Sequence, residues 1–341
     1  MLSALSRGNA CHPTHTGPGT RAWQPSRWHG KKVVAGASSR TVPTSRLGRS
    51  NPRQRRLRGR NAGLRRRPDS TSENPERGRQ VSLSIIIFSR NDCENLRNCL
   101  MTLLERPSAE LLEVIVIDNA SEDNSAHMLV DFPSELPLCV ISLQQDSSFS
   151  HGNNLGLKQA RGELILFLNP DTFPDGKVID RCITELRKNP SLGMVGPRLR
   201  YPDGQHQQNG WYLPSPQQLL RQHLRLRPSE VPSLGLQVTP VGWLMGCFLM
   251  SRRAVLEELG GFDPDFWFHG TDLELCARVQ QLGLSLGRVE AAQLTHIGHR
   301  AWPAERRRAS QRALIQYLRR EQGPLIASSA ALVAHCLESL R

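Results

Sequence analysis

Polar residues stand just past each of three short apolar runs. SIIIFS ends in Ser89 and leads to Arg90, Asn91 and Glu94. VIVID ends in Asp118 and leads to Asn119 and Ser121, and ELILFL leads to Asn169, Pro170 and Asp171. If the runs are parallel strands, their carboxyl ends share one edge, and ligands of open parallel sheets bind beyond that edge. One Asp after a strand is usually a helix cap; three such turns on one edge point to a ligand. No G-x-G-x-x-G follows the first run, and no G-x-x-x-x-G-K-[ST] occurs anywhere, so a glycine cradle for phosphate is excluded. A nucleotide would then be held by a base-reading carboxylate and a metal, and carboxylate oxygen suits Mg2+ or Mn2+. Asp272 lies in FWFHGTDLELC, a non-polar setting that raises a carboxyl pKa. The same position suits a helix cap.

The elements that must position these residues alternate. Strands are predicted over 81–89, 112–118, 138–143, 163–169, 192–200 and 243–251, because short apolar runs with β-branched residues and polar flanks read as buried strands. Helices are predicted over 94–105, 123–130, 151–162 (closed by Gly162), 176–189, 253–259 and 271–282. This alternation means βαβ units and a right-handed, largely parallel sheet. Residues 201–240, rich in Pro, Gln and Leu, read as an irregular insertion on the acceptor side.

Of the 44 basic and 31 acidic residues, the first 80 positions hold 18 and 3, so the remainder is nearly charge-balanced. A uniformly basic nucleic-acid binder is excluded. No run of about 18 apolar residues exists, which excludes a polytopic membrane protein. Residues 1–80 are rich in Arg, Ser, Gly and Pro and are predicted to be disordered. A translated upstream extension, a basic arm for anionic lipid or nucleic acid, and a transit peptide are the three readings of that tail. The eight cysteines are scattered with no C-x-x-C pair, which fits a reducing compartment. The start of the chain lacks the apolar core of a signal peptide. Residues 304–323 read as a basic helix. Residues 324–341 are too short to span a membrane and long enough for an interfacial or docking helix.

The segments SIIIFSRNDCENLRNCLMTL, VIVIDNASEDNS, FSHGNNLGLKQARGELILFLNPDT and WLMGCFLMSRRAVLEELGGFDPDFWFHGTDLELCARVQQLGL, with the late His296, stand in an order and spacing that resemble family 2 nucleotide-sugar glycosyltransferases. The likeness covers about two-thirds of the chain and is strongest to the rhamnosyltransferase-like branch. It implies an α/β GT-A fold, a Rossmann-like open, mostly parallel sheet flanked by helices. The catalytic domain would span 81–300, with a helical extension over 301–341. It implies inverting, metal-dependent transfer of a sugar, rhamnose being the candidate, from a nucleotide-sugar donor to a hydroxyl of a glycan or lipid-linked saccharide. The cofactor would be Mg2+ or Mn2+, with no specific nucleic-acid partner. The location would be cytoplasmic, with peripheral association at the inner face of the membrane.

Residue by residue, the resemblance places Asn91 and Glu94 at the border of the nucleotide. Asp118, with Asn119, stands at the turn that reads the pyrimidine N3–H. Asn153 and Asn154 match an Asn-rich helix start near the nucleotide. Asn169 and Asp171 match the metal-binding D-x-D motif, with Asp171 as the principal ligand. His296 faces the diphosphate or metal, and Asp272 is the base. Trp243 and Gly246 would floor the acceptor site. Thr271, Arg90 and Ser148 depart from the family pattern. Two rival readings are a non-catalytic nucleotide-sugar-binding homologue and an interaction protein acting through its basic tail.

Overall fold

Seven consecutive buried residues, Leu83–Ser89, form strand β2 of the computed structural model. A strand buried on both faces must be central, and β2 lies between two parallel neighbours, β3 (Leu111–Asp118) and β5 (Leu164–Leu168). The structure describes residues 32–35, 82–214, 230–298, 303–325 and 328. Within them, β3 pairs on its other side with β4 (Leu138–Ser142), and β4 with β1 (Lys32–Ala35), both in parallel. The remainder of the predicted tail lies outside the described residues, and β1 differs from the disorder expected there. Val33 and Val34 give that piece β-branched character.

Beyond β5 the sheet changes direction. Strand β10 (Phe248–Arg252) runs antiparallel between β5 and β7 (Leu192–Arg200), and β11 (Ser285–His296) runs parallel to β7. Short strands complete it: β6 (Thr172–Phe173) and β9 (Val238–Val241) on β11, and β8 (His206–Gln207) on β7. Alternate residues of the central strands feed two cores. Ile85, Ile87, Val114 and Val116 pack with Leu96 and Leu100 of helix α1 (Cys93–Glu105) and with Ile179 of α4 (Gly176–Lys188). Ile86, Phe88, Ile115 and Ile117 pack with Leu157 of α3 (Phe149–Gln159) and with helices α5 (Arg253–Leu259) and α6 (Thr271–Gln281). Short α2 (Ser125–Asp131) follows β3. Helix α7 (Ala304–Gln322) packs Ala313, Tyr317 and Leu318 on Phe266, Leu273 and Ala277.

The predicted alternation stands, with three corrections. Helix α3 closes at Gln159, not at Gly162. A Cβ on Gly162 would lie 2.5 Å from the Ser84 amide nitrogen, so that glycine serves the approach of the turn to β2. Strand β10 starts five residues later than predicted, because residues 243–247 turn to meet α6. The long strand β11 was not predicted at all, since Arg288 and Glu290 break its apolar pattern and are held as a buried ion pair. In the 201–240 insertion, residues 215–229 lie outside the described residues, as does most of 324–341. No described helix is long and apolar enough to cross a membrane. The six described cysteines are free thiols.

Helix α3 approaches the sheet through Gly152 and Gly156, one turn apart. A Cβ at Gly152 would stand 2.3 Å from the Phe88 ring, and one at Gly156 2.5 Å from Ile86 Cγ2. Gly152→Ala should therefore destabilise the fold by about 1–3 kcal/mol through overpacking. A lower denaturant midpoint at unchanged slope checks this, and an unchanged midpoint contradicts it.

Candidate active site

The register Ser89↔Asp118 and Asp118↔Ser142 brings the ends of three parallel strands level. At that edge Ser89 Oγ and Asp118 Oδ1 are both buried with no hydrogen-bond partner in the protein. Asp118 is 4% exposed, and a carboxylate oxygen left without a partner at such depth is costly unless it is kept for a ligand donor. Asn91, at φ +50°, ties the turns together: its Oδ1 accepts from the Glu122 amide at 2.7 Å, and its own amide donates to Ser121 Oγ at 3.0 Å. Glu94 is exposed in the first turn of α1. Asp92, which the sequence reading passed over, also belongs here. Burial raises its carboxyl pKa; the Asn95 hydrogen bond opposes this, and nearby Asp171, Asp123 and Glu94 add to the rise. The mouth of the edge is thus acidic and attracts a cation.

Asn169 ends β5, its amide donating to the Cys247 carbonyl at 3.0 Å. The next two residues turn so that Asp171 meets the end of β11. His296 Nε2 lies 3.3 Å from Asp171 Oδ2, and the Gly298 amide donates to the same oxygen at 3.2 Å. Burial works to raise the Asp171 pKa, but the His296 hydrogen bond and charge and the Gly298 amide outweigh it and hold the carboxyl below its ordinary value. His296 is buried, and its Nδ1 is 3.0 Å from Gln207 Oε1. An amide oxygen only accepts, so Nδ1 carries the proton. Neutral imidazole then turns its Nε2 lone pair toward a carboxylate, which is stable only with a further positive charge. A proton supplies it here: burial opposes protonation, but Cys247 and Asp171 push the His296 pKa up to about 10.

A divalent cation would meet the same need. Oxygen and nitrogen lone pairs face one place, and Gln207 fixes the imidazole as outer partners of metal-bound histidines do. No group of three or more His, Cys, Asp or Glu able to hold a metal occurs among the described residues. The residues fit a cation completed by substrate phosphate oxygens, the usual manner for Mg2+.

Asp272 is the second residue of α6, whose N-cap is Gly270, so Asp272 is not the cap. Its Oδ2 accepts from the Gly246 amide at 3.0 Å and its Oδ1 from the Leu273 amide at 2.8 Å. Burial raises its pKa, and these backbone bonds only partly oppose the rise. Glu274, two residues along, is locked in a two-pronged pair with Arg278 at 2.6 and 2.7 Å. Trp243 stacks on Trp211, ring centroids 4.4 Å apart.

Three predicted nucleotide residues have their amides engaged within the protein. Asn119 clasps the 146–147 loop, bonding Asp146 Oδ1 and both backbone groups of Ser147. Asn153 is buried and donates to the Phe149 carbonyl. Asn154 donates to the Phe262 carbonyl and accepts from its amide, both at 2.8 Å. With Ser150 Oγ donating to the Phe266 carbonyl at 2.6 Å, the Asn-rich start of α3 anchors the loop that leads to Asp272.

Sequence reading also missed Gln207 and Asn209, which sit in a stretch with no periodicity. Asn209 is fully buried; its Oδ1 accepts from the Met245 amide at 2.9 Å and its Nδ2 donates to the Pro197 carbonyl at 2.7 Å. Arg288 donates to the Asn209 carbonyl at 2.7 Å and to Glu230 at 2.8 Å.

The glycosyl transferase family 2 model matches residues 84–260, and that for the N-terminal domain of galactosyltransferase matches 239–300. The chain belongs to glycosyl transferase family 2. It is 29% identical over 239 residues to the O-antigen biosynthesis protein RfbC of Myxococcus xanthus, covering 65% of this chain and 18% of that protein. It is 36% identical over 116 residues to the uncharacterized glycosyltransferase YfnE of Bacillus subtilis, covering 34% of this chain and 30% of that one. The match thus spans less than a third of either protein. The N-acetylglucosaminyl-diphospho-decaprenol L-rhamnosyltransferase of Mycobacterium tuberculosis is 26% identical over 240 residues, 61% of this chain and 72% of that protein. The fold is that of GT-A enzymes. The mannosyltransferase PcManGT of Pyrobaculum calidifontis, solved with GDP-Man and Mn2+, superposes with a TM-score of 0.52 at 16% identity over 76% of both chains. GalNAc-T7, solved with UDP, GalNAc and Mn2+, gives 0.54 at 16% identity over 72% of this chain and 48% of that one.

Asn209→Ala leaves the Met245 amide and the Pro197 carbonyl without partners, at roughly 1–3 kcal/mol each. Thermal unfolding should shift down by several degrees. An unshifted transition would mean that Asn209 is not a structural tie.

Proposed function

We propose that the protein is an inverting, metal-dependent glycosyltransferase that moves a sugar from a nucleotide-sugar donor to a hydroxyl of a lipid-linked saccharide or glycan. The observation that carries this reading is a division of labour between carboxyls at one site. Asp171 is held below its ordinary pKa and Asp272 above it, the pattern by which environments assign ionic and proton-transfer roles. The unpaired Asp118 Oδ1 and Ser89 Oγ suit the donor's base. Rhamnose as the sugar, and a diphospho-lipid acceptor, are supported by the name of the mycobacterial relative.

Asp171 and His296 would hold the cation, with Asn169 beside them. The cation, when bound, supplies positive charge for the leaving diphosphate. Asp272 accepts the acceptor hydroxyl's proton as that oxygen bonds to the anomeric carbon. The bond from that carbon to the phosphate oxygen breaks, and its electron pair leaves with the diphosphate. Gly246 and Leu273 hold the two carboxylate oxygens of Asp272 in place. With Glu274 locked by Arg278, Asp272 is the carboxylate left on this helix start for the acceptor.

Asp171→Asn should abolish metal-dependent release of nucleoside diphosphate while the circular dichroism spectrum stays native. Full activity in that variant would remove the metal assignment. Asp272→Asn should lower transfer by about 10²–10⁴-fold and leave calorimetric nucleotide binding unchanged; surviving transfer would remove Asp272 as base. The base must be ionised, so kcat/KM should fall on the acid side through a single group titrating above the ordinary Asp range. An acid limb at or below that range would contradict the raised pKa.

A further inference from the structure

Helices α6 and α7 run side by side in the same direction. Gly270, just before α6, would bring a Cβ within 3.0 Å of Ala313, and Gln281 at the end of α6 bonds Glu321 at 2.7 Å. Residues 304–312 of α7 therefore extend past the start of α6, where Asp272 stands, by roughly 13 Å at ~1.5 Å per residue. This overhang begins six residues after Gly298, which bonds Asp171. Its C-terminal end lies at Gly270, two residues before Asp272. It carries four arginines and one acid, Glu305. Arg306 and Arg312 are exposed and form no ion pair among the described residues. Beside Asp272, Trp267 and Phe268 are 62% and 53% exposed. Buried aromatics would be ordinary; two exposed ones beside unpaired guanidinia form an amphiphilic rim. His269, which follows Phe268 and meets its ring edge-on, has its pKa lowered by burial and then by the charges of Arg306 and Arg312, so both guanidinia lie within electrostatic reach of it.

We infer that Arg306 and Arg312 bind the diphosphate of the acceptor, while Trp267 and Phe268 cover the apolar chain attached to it. The inference rests on the transferase reading above and assigns that acceptor its surface. Guanidinium matches phosphate oxygens in a two-pronged manner, and an aromatic pair covers an apolar chain without a polar cost.

The test is calorimetric binding by the full chain, in EDTA so that the metal side contributes nothing. The probe is farnesyl diphosphate, with inorganic pyrophosphate and farnesol as half-probes. The diphosphate should bind more tightly than either half. The double variant Arg306→Gln/Arg312→Gln should weaken it at least ~10-fold, and Trp267→Ala should weaken farnesyl diphosphate but not pyrophosphate. Binding of UDP with Mn2+ should stay within about twofold. Unchanged farnesyl diphosphate affinity in the double variant overturns the inference. An equal loss of UDP affinity also overturns it, since the arginines would then serve the donor. Loss of binding to phosphatidylglycerol vesicles, with farnesyl diphosphate binding absent in the parent, would assign the rim to a membrane surface instead. Because no turnover is needed, an inactive parent protein with this binding intact would refute the transferase reading alone.

Discussion

The parallel register of β4, β3 and β2 is the constraint on which the rest depends. Parallel pairing sends every strand's carboxyl end to one side, and Ser89, Asp118 and Ser142 end level. A slip of one residue would turn Asp118 from that edge and send each neighbouring side chain to the opposite core. The two cores prevent that slip, because the odd and even residues of β2 and β3 are both buried, against different helices. The polar edge therefore inherits its precision from apolar packing some distance away.

One short strap, Gln207–Asn209, then joins the two working halves. Gln207 sets the imidazole of His296 on the metal side. Asn209 holds Met245, whose neighbour Gly246 donates to Asp272. The strap is fixed in turn by Glu230, which accepts from the Asn209 amide at 2.8 Å, meets His206 at 2.5 Å and pairs with buried Arg288. Removing one member of such a buried network leaves an uncompensated charge, so the network fixes geometry more than it adds stability. His296 and Asp272 are thus both referred to one piece of backbone.

Much of this was legible in the sequence. The strands of the first half are short β-branched runs between polar turns, and nothing but a buried parallel strand suits them. Asp118 stands at the end of β3, Asp171 meets His296, and Asp272 opens α6 against Gly246; the roles given to them belong to the proposed function. The rest was hidden for physical reasons. Strand β11 takes its cohesion from neighbours on both sides and from a buried ion pair, which hydropathy reads as polar. Asn119, Asn153 and Asn154 have the residue type of ligand contacts, but an amide that clasps a backbone loop looks the same in one dimension. Gln207 and Asn209 gain their meaning from groups far away in sequence, His296 for the one and Met245 for the other.

On the proposed reading Asp272 takes the acceptor's proton while Glu274 is tied to Arg278, and that arrangement calls for a single displacement. The direct measurement is the anomeric configuration of the transferred sugar, read from the one-bond carbon–proton coupling at the anomeric carbon by NMR. The account predicts that the product's configuration is opposite to that of the donor. A product with the donor's configuration would contradict it and require a nucleophile that the site around Asp272 does not provide.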